Sequence, residues 1–231
     1  MSKKLSKEDL EQDLLIEYSS RLLHFYNNNK AAVWGGGIAI VLTIGLTIAY
    51  VVHSSQQEET ARELLSIAEQ EYLQGNYETA LEGSEADFTL GFNQIAANYE
   101  NTKAGNLARY YAASSEFELG NYETALQHIQ NYEVPSGVIG VSPISLHASI
   151  LAELERYEES ATMFERAANW DVNESTTPLN LFSAAEAYRE AGMRAEAESA
   201  IDTILNDYPN SPVSVRAERM KGRLAVSVMN S

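Results

Sequence analysis

Gly75-Asn76-Tyr77-Glu78-Thr79-Ala80-Leu81 recurs residue for residue as Gly120-Asn121-Tyr122-Glu123-Thr124-Ala125-Leu126. The two copies stand 45 positions apart. A fixed period of this size is the signature of a solenoid, in which a unit buries its apolar face only by stacking on the next. Each copy follows a helical run with an aromatic three residues before the glycine, Tyr72 and Phe117. The pattern makes sense as packing. Ala80, Ala125 and Ala197 are small enough for paired helices to approach, and Gly75, Gly120 and Gly192 permit a tight turn after a first helix.

Two further copies follow, the second of them the fullest match to the repeat pattern. One is Ala148, Leu151, Tyr157, Ser160, Phe164 and Ala167, with Glu155 where the turn glycine would stand. The other is Leu181, Ala184, Ala185, Tyr188, Gly192, Ala197, Ile201, Ile204 and Pro209. These positions resemble the tetratricopeptide repeat, a helix–turn–helix unit of about 34 residues. Copies two to four are spaced by 35 and 37 residues, so the 45 between the first two implies an insertion around Leu81–Asn101. A last helix, Val213–Val228, is expected to close the open end through Ala217, Met220 and Leu224. Arg216, Arg219, Lys221 and Arg223 would be its solvated side. The expected fold is all-α: a single N-terminal transmembrane helix, then a tetratricopeptide-like α-solenoid of about four repeats with a C-terminal capping helix.

Upstream of the repeats lies Ala31–Val52, 22 residues without a charge. As a helix it would measure roughly 33 Å, enough for the ~30 Å hydrocarbon core of a bilayer. Trp34 and Tyr50 sit near its ends, where aromatic rings favour the interface. The apolar core is longer than that of a signal peptide, and the residues after it are bulky, so an uncleaved anchor is expected. Lys3, Lys4, Lys7, Arg21 and Lys30 precede it, and only Arg62 follows within twenty residues. By the positive-inside rule the N-terminus faces the cytoplasm. The expected domains are a cytoplasmic tail (1–30), the anchor (31–52) and an exported domain (53–231). The tail reads either as an amphipathic helix capped by Ser6, with Leu10, Leu14, Tyr18, Leu22 and Phe25 at helical spacing, or as a partly ordered segment. Ala31, Gly35, Ala39, Thr43 and Thr47 form a small-residue stripe on the anchor. Such a stripe lets a second helix come close, either a partner's or that of another copy in a homo-oligomer.

The net charge is −17, and all of it belongs to residues 53–231. An acidic surface disfavours nucleic acid, whose phosphates require Lys and Arg. It fits either attraction of basic clients or a general solubility or salt effect. There is no cysteine, hence no thiol chemistry. The histidines, His24, His53, His128 and His147, are scattered without metal-ligand spacing. No phosphate-cradling glycine loop and no nucleophile elbow occurs. The sequence thus offers no catalytic, cofactor-binding or metal residues, and a non-catalytic role is expected.

A short tail, one anchor and a tetratricopeptide-like domain together resemble the ancillary SecYEG translocon subunit family of bacterial inner membranes. Leu90-Gly91-Phe92 and the run Tyr99-Glu100-Asn101-Thr102-Lys103-Ala104-Gly105-Asn106-Leu107-Ala108-Arg109-Tyr110-Tyr111-Ala112 resemble its Bacteroidetes-like branch. The resemblance implies a periplasmic domain that handles exported proteins beside the translocon and a membrane-anchored periplasmic chaperone. Solenoids of this kind usually present first helices on a concave face. By register that face holds Glu69 and Tyr72; Tyr110, Ser114 and Phe117; Ser145, Ser149 and Ala152; and Phe182, Glu186 and Arg189. Its aromatics are candidate anchors for an extended peptide or, alternatively, inter-helix core. The Lys and Asn of a carboxylate clamp are missing from it, so a ligand held there by its C-terminal carboxylate is not expected.

Overall fold

The computed structural model describes residues 7–229, with side chains described over 16–225. The Ser6 cap and the side chains of Leu10 and Leu14 lie outside the described residues. Residues up to Gln56 and residues from Gln57 form separate compact units.

The first unit holds α1 (Lys7–Asn28) and the first part of α2 (Lys30–Leu73). Tyr18, Leu22 and Phe25 are exposed on α1. Helix α2 contains the 18-residue window of mean hydropathy 2.1 that makes it long and apolar enough to cross a membrane. Trp34 and Tyr50 are exposed. Along the small-residue stripe, Thr43 Oγ1 donates to the Ala39 carbonyl and Thr47 Oγ1 to the Thr43 carbonyl, at 2.9 and 2.8 Å. Both hydroxyls are therefore satisfied within the helix.

The second unit begins with the rest of α2. It continues through α3 (Tyr77–Glu82), α4 (Phe92–Asn98), α5 (Lys103–Glu118), α6 (Tyr122–Gln130) and α7 (Val141–Glu153). It ends with α8 (Tyr157–Trp170), α9 (Thr177–Glu190), α10 (Arg194–Asp207) and α11 (Ser214–Met229). Four turns of one kind set the repeat. Gly75 N–H donates to Tyr72 O and Asn76 N–H to Glu71 O. The same pair of bonds recurs at Gly120 and Asn121, at Glu155 and Arg156, and at Gly192 and Met193. This is the Schellman arrangement, which satisfies the last carbonyls of a first helix and reverses the chain into a second. It needs a left-handed residue at its centre. Gly75, Gly120 and Gly192 have φ of 82°, 79° and 74°, and Glu155 adopts φ of 58° in the same place.

Five residues after each turn centre comes the close-approach position. Ala80, Ala125, Ser160 and Ala197 are all fully buried there. Ser160 differs only in donating its hydroxyl to the Ala148 carbonyl, 2.8 Å away. The core continues from unit to unit. It ends on α11, whose Ala217, Met220 and Leu224 pack with Tyr188, Ile201 and Ile204 of the fourth repeat.

The insertion splits the second helix of the first repeat. Helix α3 stops at Gly83, a hairpin of β1 (Gly83–Ser84) and β2 (Thr89–Leu90) intervenes, and α4 resumes at Phe92. The hairpin's feet close on glycines without room for a side chain. A Cβ on Gly83 would lie 2.2 Å from Thr89 O, and one on Gly91 2.2 Å from Leu81 O.

Candidate functional site

The first helices of the four repeats are the last part of α2, α5, α7 and α9, and the candidate ligand face follows their register. The structure spends much of that register on contacts between successive first helices. Tyr72 Oη and Ser114 Oγ share a 2.8 Å hydrogen bond from α2 to α5. Ser145 Oγ donates to Asn180 Oδ1 at 2.6 Å from α7 to α9. Arg216 of α11 lies 4.2 Å from the ring centre of Phe182 and 3.6 Å from Glu186 Oε1. Ser149 donates to the Ser145 carbonyl of its own helix at 3.0 Å. These side chains form rungs along the solenoid.

Phe182 takes the core reading rather than the anchor reading, because only 3% of it is accessible. Arg216 and Lys221 are on the solvated side of α11, 58% and 52% accessible, where Arg216 lies over Phe182 and Lys221 pairs with Asp202 of α10 at 2.5 Å. Ser114 is also buried. Glu69, Tyr110 and Glu186 are half-buried on the register, and Arg189 is exposed. Arg189 pairs with the adjacent Glu190.

The aromatic residues gather at the first two repeats. Tyr72 meets Tyr77, Phe92 and Tyr111 edge-on at 5.4, 6.3 and 5.3 Å between ring centres, and Phe92 stacks on Tyr111 at 5.2 Å. Tyr110 extends the cluster to Tyr132 at 5.7 Å. Such pairs contribute roughly 0.5–1.5 kcal/mol beyond area burial. Burial, followed by the charge and hydrogen bond of Glu69, pushes the Tyr111 phenol up to about 12. Burial, then Tyr72 and Tyr132, raises that of Tyr110. Both phenols therefore stay neutral donors throughout the ordinary pH range. Phe117 packs on Tyr122 at 5.5 Å within the core of the second repeat, so it is a helix spacer in the first instance.

Several structural residues escaped the sequence reading. Glu71 and Glu116 accept from Asn76 Nδ2 and Asn121 Nδ2, both at 2.8 Å, and so brace the two identical turns. The signal was present: the repeated heptapeptide is preceded in both copies by a glutamate four residues before its glycine. The run from Tyr99 to Ala112 also has a structural job. Thr102 Oγ1 caps α5 by accepting from Gly105 N–H at 2.9 Å. Gly105 lies so close to Tyr99 that an added Cβ would stand 2.0 Å from its carbonyl oxygen. Asn106 clamps the backbone of Glu133 from both sides, donating to its carbonyl and accepting its N–H, each at 2.9 Å.

Among the described residues no three His, Asp or Glu side chains converge as metal ligands. The tetratricopeptide repeat family model matches residues 180–211, which lie across α9 and α10. Comparison with curated proteins and with solved structures gives no significant match. The matched unit shares its turn geometry and close-approach position with the three before it. The second unit is thus a tetratricopeptide-like α-solenoid of four repeats closed by α11.

Proposed function

We propose that this chain is a non-catalytic, membrane-anchored scaffold that binds proteins beside the SecYEG translocon of a bacterial inner membrane. In this reading α2 spans the membrane once, the N-terminus is cytoplasmic and the solenoid is periplasmic. The solenoid holds exported clients or recruits a membrane-anchored periplasmic chaperone. One observation carries the scaffold reading: a stack of four tetratricopeptide-like units in the same chain as an uncharged 22-residue segment. Repeat stacks of this kind present extended surfaces for other proteins. The basic residues before the apolar segment support the orientation. The resemblance of the whole arrangement, and of the run from Tyr99 to Ala112, supports the translocon.

Within this reading Glu69, Tyr110, Glu186 and Arg189 are the accessible part of the client-facing register. Ala31, Gly35, Ala39, Thr43 and Thr47 are the stripe by which the membrane helix docks on a translocon helix or a second copy. The experiment is crosslinking in intact membranes from Tyr110 and Arg189. Recovery of SecY or of nascent exported chains supports the proposal. Recovery of envelope assembly proteins alone would assign the chain to a different complex.

A further inference from the structure

Helix α6 has 9 residues, whereas α8 and α10, its counterparts in the next two repeats, have 14 each. The shortfall leaves a cleft between α6 and α8, floored by α7. Two adjoining cavities of about 360 and 330 Å³ occupy it, and both are lined by Gln130, His147 and Met163. Pro143, His147 and Leu151 run along the floor as one stripe of α7. From first to last they cover eight helical rises, or about 12 Å, room for three or four extended residues of another chain.

The walls are built and fixed. Trp170 Nε1 donates to the Pro135 carbonyl at 3.1 Å, which holds the indole at one end. Gly140 leaves space for it, since a Cβ there would sit 2.3 Å from Trp170 Nε1. The Asn106 clamp on Glu133 fixes the linker that puts Tyr132 and Val134 on the rim.

Charge identifies the occupant. In a chain of net charge −17, one of these cavities carries Arg156 beside Glu158 and Glu159, and the other carries Arg166 with no carboxylate in its lining. Arg156 is already neutralised by a two-point pair with Glu159. Arg166 is not: the described ion pairs leave it without a carboxylate, and its guanidinium lies 5.3 Å from the Trp170 ring centre. A guanidinium held over an aromatic ring keeps its edge free for a carboxylate. Beside it Met163 and Trp170, both half-buried, offer apolar surface. The Gln130 carboxamide has no partner among the described hydrogen bonds, and it carries both the donor and the acceptor that pair with a peptide unit.

We propose that this cleft binds an acidic peptide segment flanked by apolar side chains, with its carboxylate on Arg166 and its peptide unit on Gln130. The inference rests on the protein-binding reading above only in that the ligand is a peptide. The cleft lies between second helices, away from the first-helix register.

The test uses the full chain in a nanodisc of zwitterionic lipid. The probe is a fluorescein-labelled, amidated pentapeptide of alternating leucine and glutamate, followed by anisotropy, with the leucine–glutamine peptide as its uncharged twin. Saturable binding of the glutamate peptide is expected, weakened about tenfold or more in the glutamine twin and equally in Arg166→Gln. Arg219→Gln, an exposed change on α11, should leave it unchanged, and thermal melting should show both variants folded. Equal binding of the two peptides, no saturable binding, or full binding by Arg166→Gln would overturn the proposal. So would self-association lost in Arg166→Gln, which would give the cleft to a second copy. None of these failures touches recovery of translocon components from Tyr110 and Arg189.

Discussion

The guanidinium of Arg216 caps the ring of Phe182 at 4.2 Å while reaching toward Glu186. One side chain of the last helix thus covers the aromatic that the sequence offered as a ligand anchor. Cation–π contacts at partly exposed sites are worth about 0.5–1 kcal/mol, and an exposed ion pair adds little. Arg216→Ala should therefore cost about 1 kcal/mol in chemical denaturation. It should also speed hydrogen exchange in α11 ahead of the other helices. Met220→Ala, at a fully buried position, should cost roughly 2–5 kcal/mol. If both changes were neutral, α11 would not be the cap of the stack.

The third turn is the strained one. Glu155 occupies the left-handed region that the other three repeats give to glycine. A side chain there costs about 1–2 kcal/mol, and a glycine's greater freedom when unfolded returns about 0.5–1. Glu155→Gly should stabilise the domain by about 0.5–1 kcal/mol. Gly120→Glu, the reverse change one repeat earlier, should destabilise it, and equilibrium unfolding of the pair decides the matter.

Two glycines should respond oppositely to alanine. Gly105 has a carbonyl oxygen 2.0 Å from where its Cβ would be, so Gly105→Ala should cost roughly 1–3 kcal/mol. Gly222, on α11, has nothing within 4 Å of that point, so Gly222→Ala should stabilise by roughly 0.5–1 kcal/mol. Equal effects would mean that the α5 entry is not closely packed on Tyr99.

Stability should fall on mild acidification. Burial pushes His128 below its ordinary value, with Glu116 opposing. Burial, then Arg166 and Arg156, pushes His147 down, with Glu159 opposing. Both rings are held neutral in the folded chain, so the unfolded chain binds more protons just below the ordinary value. Their contribution is complete above about pH 6.5 and is lost as pH falls below it. The melting temperature should drop between about pH 7 and pH 5. His128→Gln with His147→Gln should flatten that part of the profile.

Much of this fold was legible because the first two turns carry identical residues. Gly75 and Gly120 mark a conformation that few other residues take, so the period announces itself. The third turn is silent in the sequence, since Glu155 reports nothing of its positive φ. The insertion could be counted but not shaped, because its hairpin is closed by Gly83 packing on the Thr89 carbonyl and Gly91 on that of Leu81. The candidate face was harder still. Register says which way Ser114 and Ser145 point, but not that Tyr72 and Asn180 meet them from the neighbouring helices. The cleft depends on α6 stopping at Gln130, and Asn131 and Pro135 hint at the end of a helix without showing what the missing turn exposes.

The central claim is that a membrane-anchored stack of repeats binds proteins at the translocon. Its most direct test is photo-crosslinking in intact membranes from Tyr110 and Arg189, run beside a variant carrying Gly35→Leu and Ala39→Leu. The account predicts adducts with SecY or nascent exported chains from the unmodified stripe, and their loss in the stripe variant while the protein stays in the membrane fraction. Adducts confined to envelope proteins unrelated to export, or a chain that washes out of the membrane, would contradict it.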